Sequence, residues 1–149
     1  MRTKQVECIV FKRVGTEVSY LLLKRIPSKG DFWQPPCGGV EKEDDSLMDA
    51  VFREIKEEAG IEKSDVLEVI EGVHAFTMSS HYLTKEEMPP ITEYVFGVEI
   101  GLDVEVDLTK NIYVEHEEFK WVEYEQALEL LKWEDNKTAL RKLHALLKT

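Results

Sequence analysis

Hydrophobic positions along the chain repeat with two different periods, and the switches between them mark the elements. Val6-Glu7-Cys8-Ile9-Val10-Phe11 and Val18-Ser19-Tyr20-Leu21-Leu22-Leu23 are short runs rich in β-branched and aromatic residues. They predict two strands joined through a turn at Gly15. Lys24-Arg25 close the second strand, Ile26 to Asp31 carries Pro27 and Gly30 and predicts a loop, and Phe32-Trp33-Gln34 resumes extended backbone before Pro35-Pro36. From Ser46 the period becomes helical. Met48, Val51, Phe52, Ile55 and Ala59 share one side of a wheel that turns about 100° per residue. Ser46 with Asp49 three positions on marks the start, and Gly60 with Ile61 marks the stop. Strand patterns return over 66–77 and 91–100, and the polar stretch from Met78 to Pro90 predicts a loop placed to border a ligand. Glu118 to Val122 alternates again. Tyr124 to Leu131 and Thr138 to Leu147 predict two closing helices, the latter with Ala139, Leu140, Leu143, Leu146 and Leu147 inward. Strands mixed with three helices predict an α/β domain with a sheet between helical layers.

Composition narrows the picture. At 149 residues the chain is one domain, 1–149, with material for a single sizeable core. No apolar run approaches the ~20 residues that span a bilayer, and Met1 to Gln5 lacks the features of a signal peptide, so a cytoplasmic protein with no membrane partner is expected. Thirty acidic against nineteen basic residues give a net charge of -11, which argues against a nucleic-acid polymer as partner. A small anionic substrate is compatible with that charge, because metal ions bridge carboxylates to phosphate oxygens. Cys8 and Cys37 form neither a disulfide framework nor a zinc spacing, and Cys37 reads as a small loop residue. His74, His81 and His116 show no metal-ligand spacing and are assigned no catalytic role. The oligomeric state stays open, a homodimer included.

The first helix carries the chemistry. Glu54, Glu57 and Glu58 fall on an arc roughly 100° wide beside its apolar side. Glu54 and Glu58 are helical neighbours and repel, and only Arg53, four residues before Glu57, offers a local counter-charge. A divalent cation removes the conflict, and an oxygen-rich carboxylate site suits Mg²⁺ or Mn²⁺. Upstream, Gly38 and Gly39 fit a place where backbone approaches a ligand closely.

Gly39-Val40-Glu41-Lys42-Glu43-Asp44-Asp45, followed by Arg53-Glu54-Ile55-Lys56-Glu57-Glu58-Ala59-Gly60-Ile61, resembles the Nudix box. Eight of the nine fixed positions match, and Asp45 replaces the ninth, a glutamate at the loop-to-helix junction where a carboxylate caps free amides. The resemblance implies an α/β/α sandwich and a Mg²⁺-dependent hydrolase, with Mn²⁺ as the other ion. It places metal on the Gly38 carbonyl, Glu54, Glu57 and Glu58. Glu54 would orient or deprotonate the attacking water, and Arg53 would fix the carboxylates through ion pairing. Asp31-Phe32-Trp33-Gln34, Glu115-His116-Glu117-Glu118-Phe119-Lys120-Trp121 and the run from Trp133 to Leu140 look like the dihydroneopterin triphosphate and dATP pyrophosphohydrolase branch. That likeness adds Glu115 to the metal site. It implies a nucleoside triphosphate or related substrate cleaved to monophosphate and pyrophosphate. Alternatives are a Nudix enzyme for dinucleoside polyphosphates, oxidised nucleotides or nucleotide sugars, and a non-catalytic nucleotide-binding module. Phe32 and Trp33 read either as core aromatics or as a wall for a base or pterin, and Lys24 and Arg25 as contacts to phosphate oxygens.

Overall fold

The computed structural model describes residues 3–78 and 90–148. Apart from its two ends, the loop predicted from Met78 to Pro90, with His81, lies outside them. The elements run β1 (Lys4–Val14), β2 (Glu17–Arg25), β3 (Trp33–Gln34), β4 (Cys37–Gly39), α1 (Leu47–Ala59), β5 (Val66–Met78), β6 (Ile91–Ile100), β7 (His116–Val122), α2 (Tyr124–Leu130) and α3 (Glu134–Leu147). Seven described strands form one mixed sheet in the order β3-β2-β1-β6-β5, with β4 also paired to β1 and β7 to β2. The β1–β6 pair is parallel and the other ladders are antiparallel.

Strand alternation divides the core in two. On one face Val6, Cys8, Val10, Leu21 and Leu23 pack against Val51, Ile55 and Ala59 of α1. On the other, Ile9, Phe11, Tyr20 and Leu22 pack against Ala127 of α2 and Leu140, Leu143 and Leu147 of α3. Each fully buried aliphatic side chain contributes about 1.5–3 kcal/mol, so both helical layers are held by the sheet. The expected α/β/α layering is therefore the observed one.

Several boundaries differ from the sequence reading, β7 among them, which starts at His116 rather than Glu118. β1 extends to Lys4 and Val14 because its ends pair with β4 and β2. Cys37 belongs to a short strand rather than a loop. α3 begins at Glu134, four residues before the predicted start at Thr138. Its first turn carries no apolar stripe. Instead it buries Asn136, whose amide donates to the Glu7 carboxylate.

Candidate active site

Ser46 caps α1, accepting from the Asp49 backbone amide, and Gly60 ends it in the left-handed region at φ 68°. The helix buries Ala50 and Val51, then Glu54 and Ile55, then Glu58 and Ala59, so two acidic residues share the face that meets the sheet. Glu57 stays outside, its side chain 51% exposed.

Ladder register shows which sheet residues meet those carboxylates. Gly38 pairs with Val6, and Val6 lies on the α1 face. A Cβ at Gly38 would fall on the Glu54 carboxylate, so glycine is required for this approach. Gln34 pairs with Leu23 and His116 with Arg25, which aims both toward α1. His116 reaches that face through a bulge. Between the Lys24–Glu118 and Arg25–His116 pairs, Glu117 is the extra residue, and it reverses the alternation of β7.

The resulting site is buried and acidic. Glu58, Glu115 and His116 each bring a ligand atom within 4.8 Å of the others. His116 Nδ1 lies 2.8 Å from Glu58 Oε2, and Gln34 Nε2 lies 3.0 Å from His116 Nε2. The first contact is short, but its angle falls outside that of a formed hydrogen bond, and no donor satisfies Oε2. Burial and then the neighbouring Glu115 push Glu58 up to about 8. Burial and then Glu58 push Glu54 up to about 7. Burial holds His116 down at about 4. A buried carboxylate oxygen without a donor, a glycine cleared for a second carboxylate and a donor set dominated by oxygen all fit a divalent cation.

Arg53 makes the expected pair with Glu57 and engages further groups besides. It grips Asp44 through Nη2 at 2.8 Å and Nε at 3.1 Å, and donates to the Gly39 carbonyl at 2.8 Å. Its Nη1 lies 2.9 Å from Glu54 and 3.3 Å from Glu57. The guanidinium holds Asp44 below the usual carboxylate range. Asp44 is therefore the carboxylate at the helix entrance that Arg53 uses, although the motif spacing points to Asp45. Asp45 is exposed, and only its backbone amide is engaged, donating to Asp49. The amide cap expected of Asp45 is supplied by Ser46.

The remaining sequence candidates separate. Arg25 stands on the α1 side as a cation beside Glu58 and His116, with its buried Nε unpartnered. Lys24 points to the opposite face and is paired with Asp31 and Glu117 at 3.3 and 3.2 Å. Trp33 packs partly on the core under Lys120. Phe32 meets Trp133 edge-on at 5.9 Å, so the two neighbours do not form one wall. Glu57 and Glu54 flank the three-residue cluster without joining it. Beside the cluster a cleft of about 360 Å³ opens between Leu108, Tyr113 and Val114. Asp44, Gln34 and His116 were missed from the sequence. Gln34 was accessible to strand parity with Leu23, whereas the bulge that aims His116 has no local signature.

Comparison with known proteins identifies the family. The NUDIX domain matches residues 1–143. The chain belongs to the Nudix family. Among relatives of this Nudix domain, an octanoyltransferase from Myxococcus xanthus is 33% identical over 97% of the chain, which spans only 37% of that protein. The asymmetrical bis(5'-nucleosyl)-tetraphosphatase of Sus scrofa is 33% identical over 89% of the chain and 83% of its own length. A Nudix hydrolase from Listeria monocytogenes superposes with a TM-score of 0.80 at 28% identity, covering 97% of this chain and 93% of that one. The E. coli dihydroneopterin triphosphate pyrophosphohydrolase superposes at 0.73 with 23% identity over 95% and 94%, a likeness of fold. The protein is a Nudix hydrolase acting on phosphoanhydride bonds.

Proposed function

We propose that this Nudix enzyme is a Mg²⁺-dependent pyrophosphohydrolase, with Mn²⁺ as an alternative ion, that cleaves a nucleoside triphosphate or related substrate to monophosphate and pyrophosphate. The dATP and dihydroneopterin triphosphate types are the first candidates. The observation that carries the reading is the cluster of Glu58, Glu115 and His116, with Glu58 Oε2 lacking a donor and Glu54 buried on the same face of α1. Glu57, Glu58, Glu115 and the Gly38 carbonyl hold the cation, with Glu54 alongside. A bound divalent cation neutralises polyphosphate charge and makes water more acidic. Glu54 orients the attacking water and takes its proton. Arg53, the preceding residue of α1, holds Glu54 in place, and Arg25, a cation beside Glu58 and His116, meets a phosphate oxygen.

Sus scrofa bis(5'-nucleosyl)-tetraphosphatase supports a second reading at 33% identity, in which the substrate is a dinucleoside polyphosphate cut into unequal products. A panel of dATP, dihydroneopterin triphosphate and diadenosine tetraphosphate, incubated with Mg²⁺ and resolved by chromatography, separates them. Pyrophosphate with monophosphate from the triphosphates supports the first reading. Intact triphosphates beside cleaved tetraphosphate reject it in favour of the second. Glu54→Gln is expected to depress kcat while sparing metal affinity, whereas Glu115→Gln weakens metal binding and is partly rescued by excess Mg²⁺. The reverse pair of results moves the base to Glu115.

A further inference from the structure

We propose that His116, backed by Gln34, is a positioning residue that orients the Glu58 carboxylate for the metal ion without itself binding the ion. This rests on the reading of Glu58 as a metal ligand. Gln34, His116 and Glu58 are 7%, 8% and 4% exposed, so their polar atoms depend on one another for partners. The Gln34 amide nitrogen can only donate, and it faces His116 Nε2 at 3.0 Å. Nε2 is therefore the accepting nitrogen, and a neutral ring carries its proton on Nδ1. Nδ1 lies 2.8 Å from Glu58 Oε2, the oxygen for which no described group supplies a hydrogen bond. On this proposal the carboxylate turns to meet the Nδ1–H, which fixes how Glu58 is presented to the ion.

A nitrogen that bears a proton does not coordinate an ion. His116 thus acts as the outer partner that ligating carboxylates commonly have. The fold commits structure to this arrangement. The Glu117 bulge turns His116 away from the face that regular alternation would give it, and β3, only two residues long, delivers Gln34 to the other side of β2.

The test compares Mn²⁺ binding to the full chain and its variants by electron paramagnetic resonance. In Asn the side-chain nitrogen sits where Nδ1 does, and in Gln it sits near Nε2. His116→Asn is therefore expected to bind Mn²⁺ within about threefold of the wild type, because the donor to Glu58 is retained. His116→Gln, of similar size and polarity, is expected to weaken binding roughly ten- to a hundredfold. Pulsed spectra of the wild-type Mn²⁺ complex should lack the coupling of a directly bound imidazole nitrogen. Such a coupling, or equal Mn²⁺ affinity in His116→Gln and wild type, overturns the proposal. Glu58→Gln separates the two levels: unchanged Mn²⁺ affinity there removes Glu58 from the metal site itself. Loss in Glu58→Gln with none in His116→Gln removes only the role of His116.

Discussion

Glu54 and Glu58 are acids at about 7 and 8 because burial penalises their charged forms more than Arg53 and Arg25 favour them. On the opposite sheet face burial raises Glu93 to about 7 and raises Glu7 as well. A carboxyl whose folded value exceeds its unfolded one near 4.5 contributes stability that is complete below 4.5 and lost as pH climbs through the folded value. His116 acts the other way, but only below its unfolded value of 6.5. In chelator, the melting temperature should therefore fall from pH 6.5 to about 8.5. Saturating Mn²⁺ should flatten part of that slope, since an ion compensates Glu54 and Glu58 but not Glu7 and Glu93. A chelated melting temperature that is flat or rising over this range would count against buried acids at the site.

The two adjacent aspartates give a sharper residue test. Asp44 makes a bidentate pair with Arg53, while the Asp45 carboxylate faces solvent. Asp44→Ala should cost about 1–3 kcal/mol in urea denaturation, because it removes the bidentate partner of a partly buried guanidinium, and should lower kcat through Glu54. Asp45→Ala should stay within about 0.5 kcal/mol. Equal effects would mean that Arg53 does not depend on Asp44.

At the scale of elements, α1 was legible before folding. Its cap, its glycine stop and its apolar side were read at Ser46, Gly60, Val51, Ile55 and Ala59, and the helix forms where they place it. Its inward carboxylates dictate what the opposing strand must be. Gly38→Ala in β4 puts a methyl group onto the Glu54 carboxylate, so it should abolish most turnover and weaken Mn²⁺ binding. Gly97→Ala in β6 serves as the contrast. Its Cβ would meet Leu143 Cδ1 of α3 at 2.6 Å, on the face away from the site. That overpacking should cost about 1–3 kcal/mol of stability while kcat at low temperature stays near normal. If Gly38→Ala kept full activity and Gly97→Ala lost it, the assignment of the two faces would be wrong.

For the whole molecule, the net charge of -11 opposes the approach of a polyanion except where the cation and Arg25 offset it. Raising ionic strength from roughly 0.01 to 0.15 M shortens the screening length from about 30 to 8 Å. KM for a polyphosphate should then fall at constant free Mg²⁺, the opposite of what a basic binding surface gives. A KM that rises with salt would point to a cationic surface dominating capture.

The sequence by itself determined the layers and the reactive helix. Alternation of apolar residues needs only local geometry to place Val6, Cys8 and Val10 on one face and Ile9 and Phe11 on the other, and the spacing of Glu54, Glu57 and Glu58 is fixed by the helical turn. Glu54, Glu57 and Glu58 nevertheless look equivalent on that wheel. Only packing against the sheet buried two of them and left Glu57 outside. Tertiary structure likewise decided that Arg53 takes Asp44 in addition to the Glu57 that helical spacing suggested, because a loop reaches across to it. It also gathered Gln34, Glu58 and His116 from three elements, the last by a bulge that inverts the expected alternation of β7. Strand parity is a local property that one inserted residue reverses, and whether the insertion forms depends on the partner strand rather than on the residues around it.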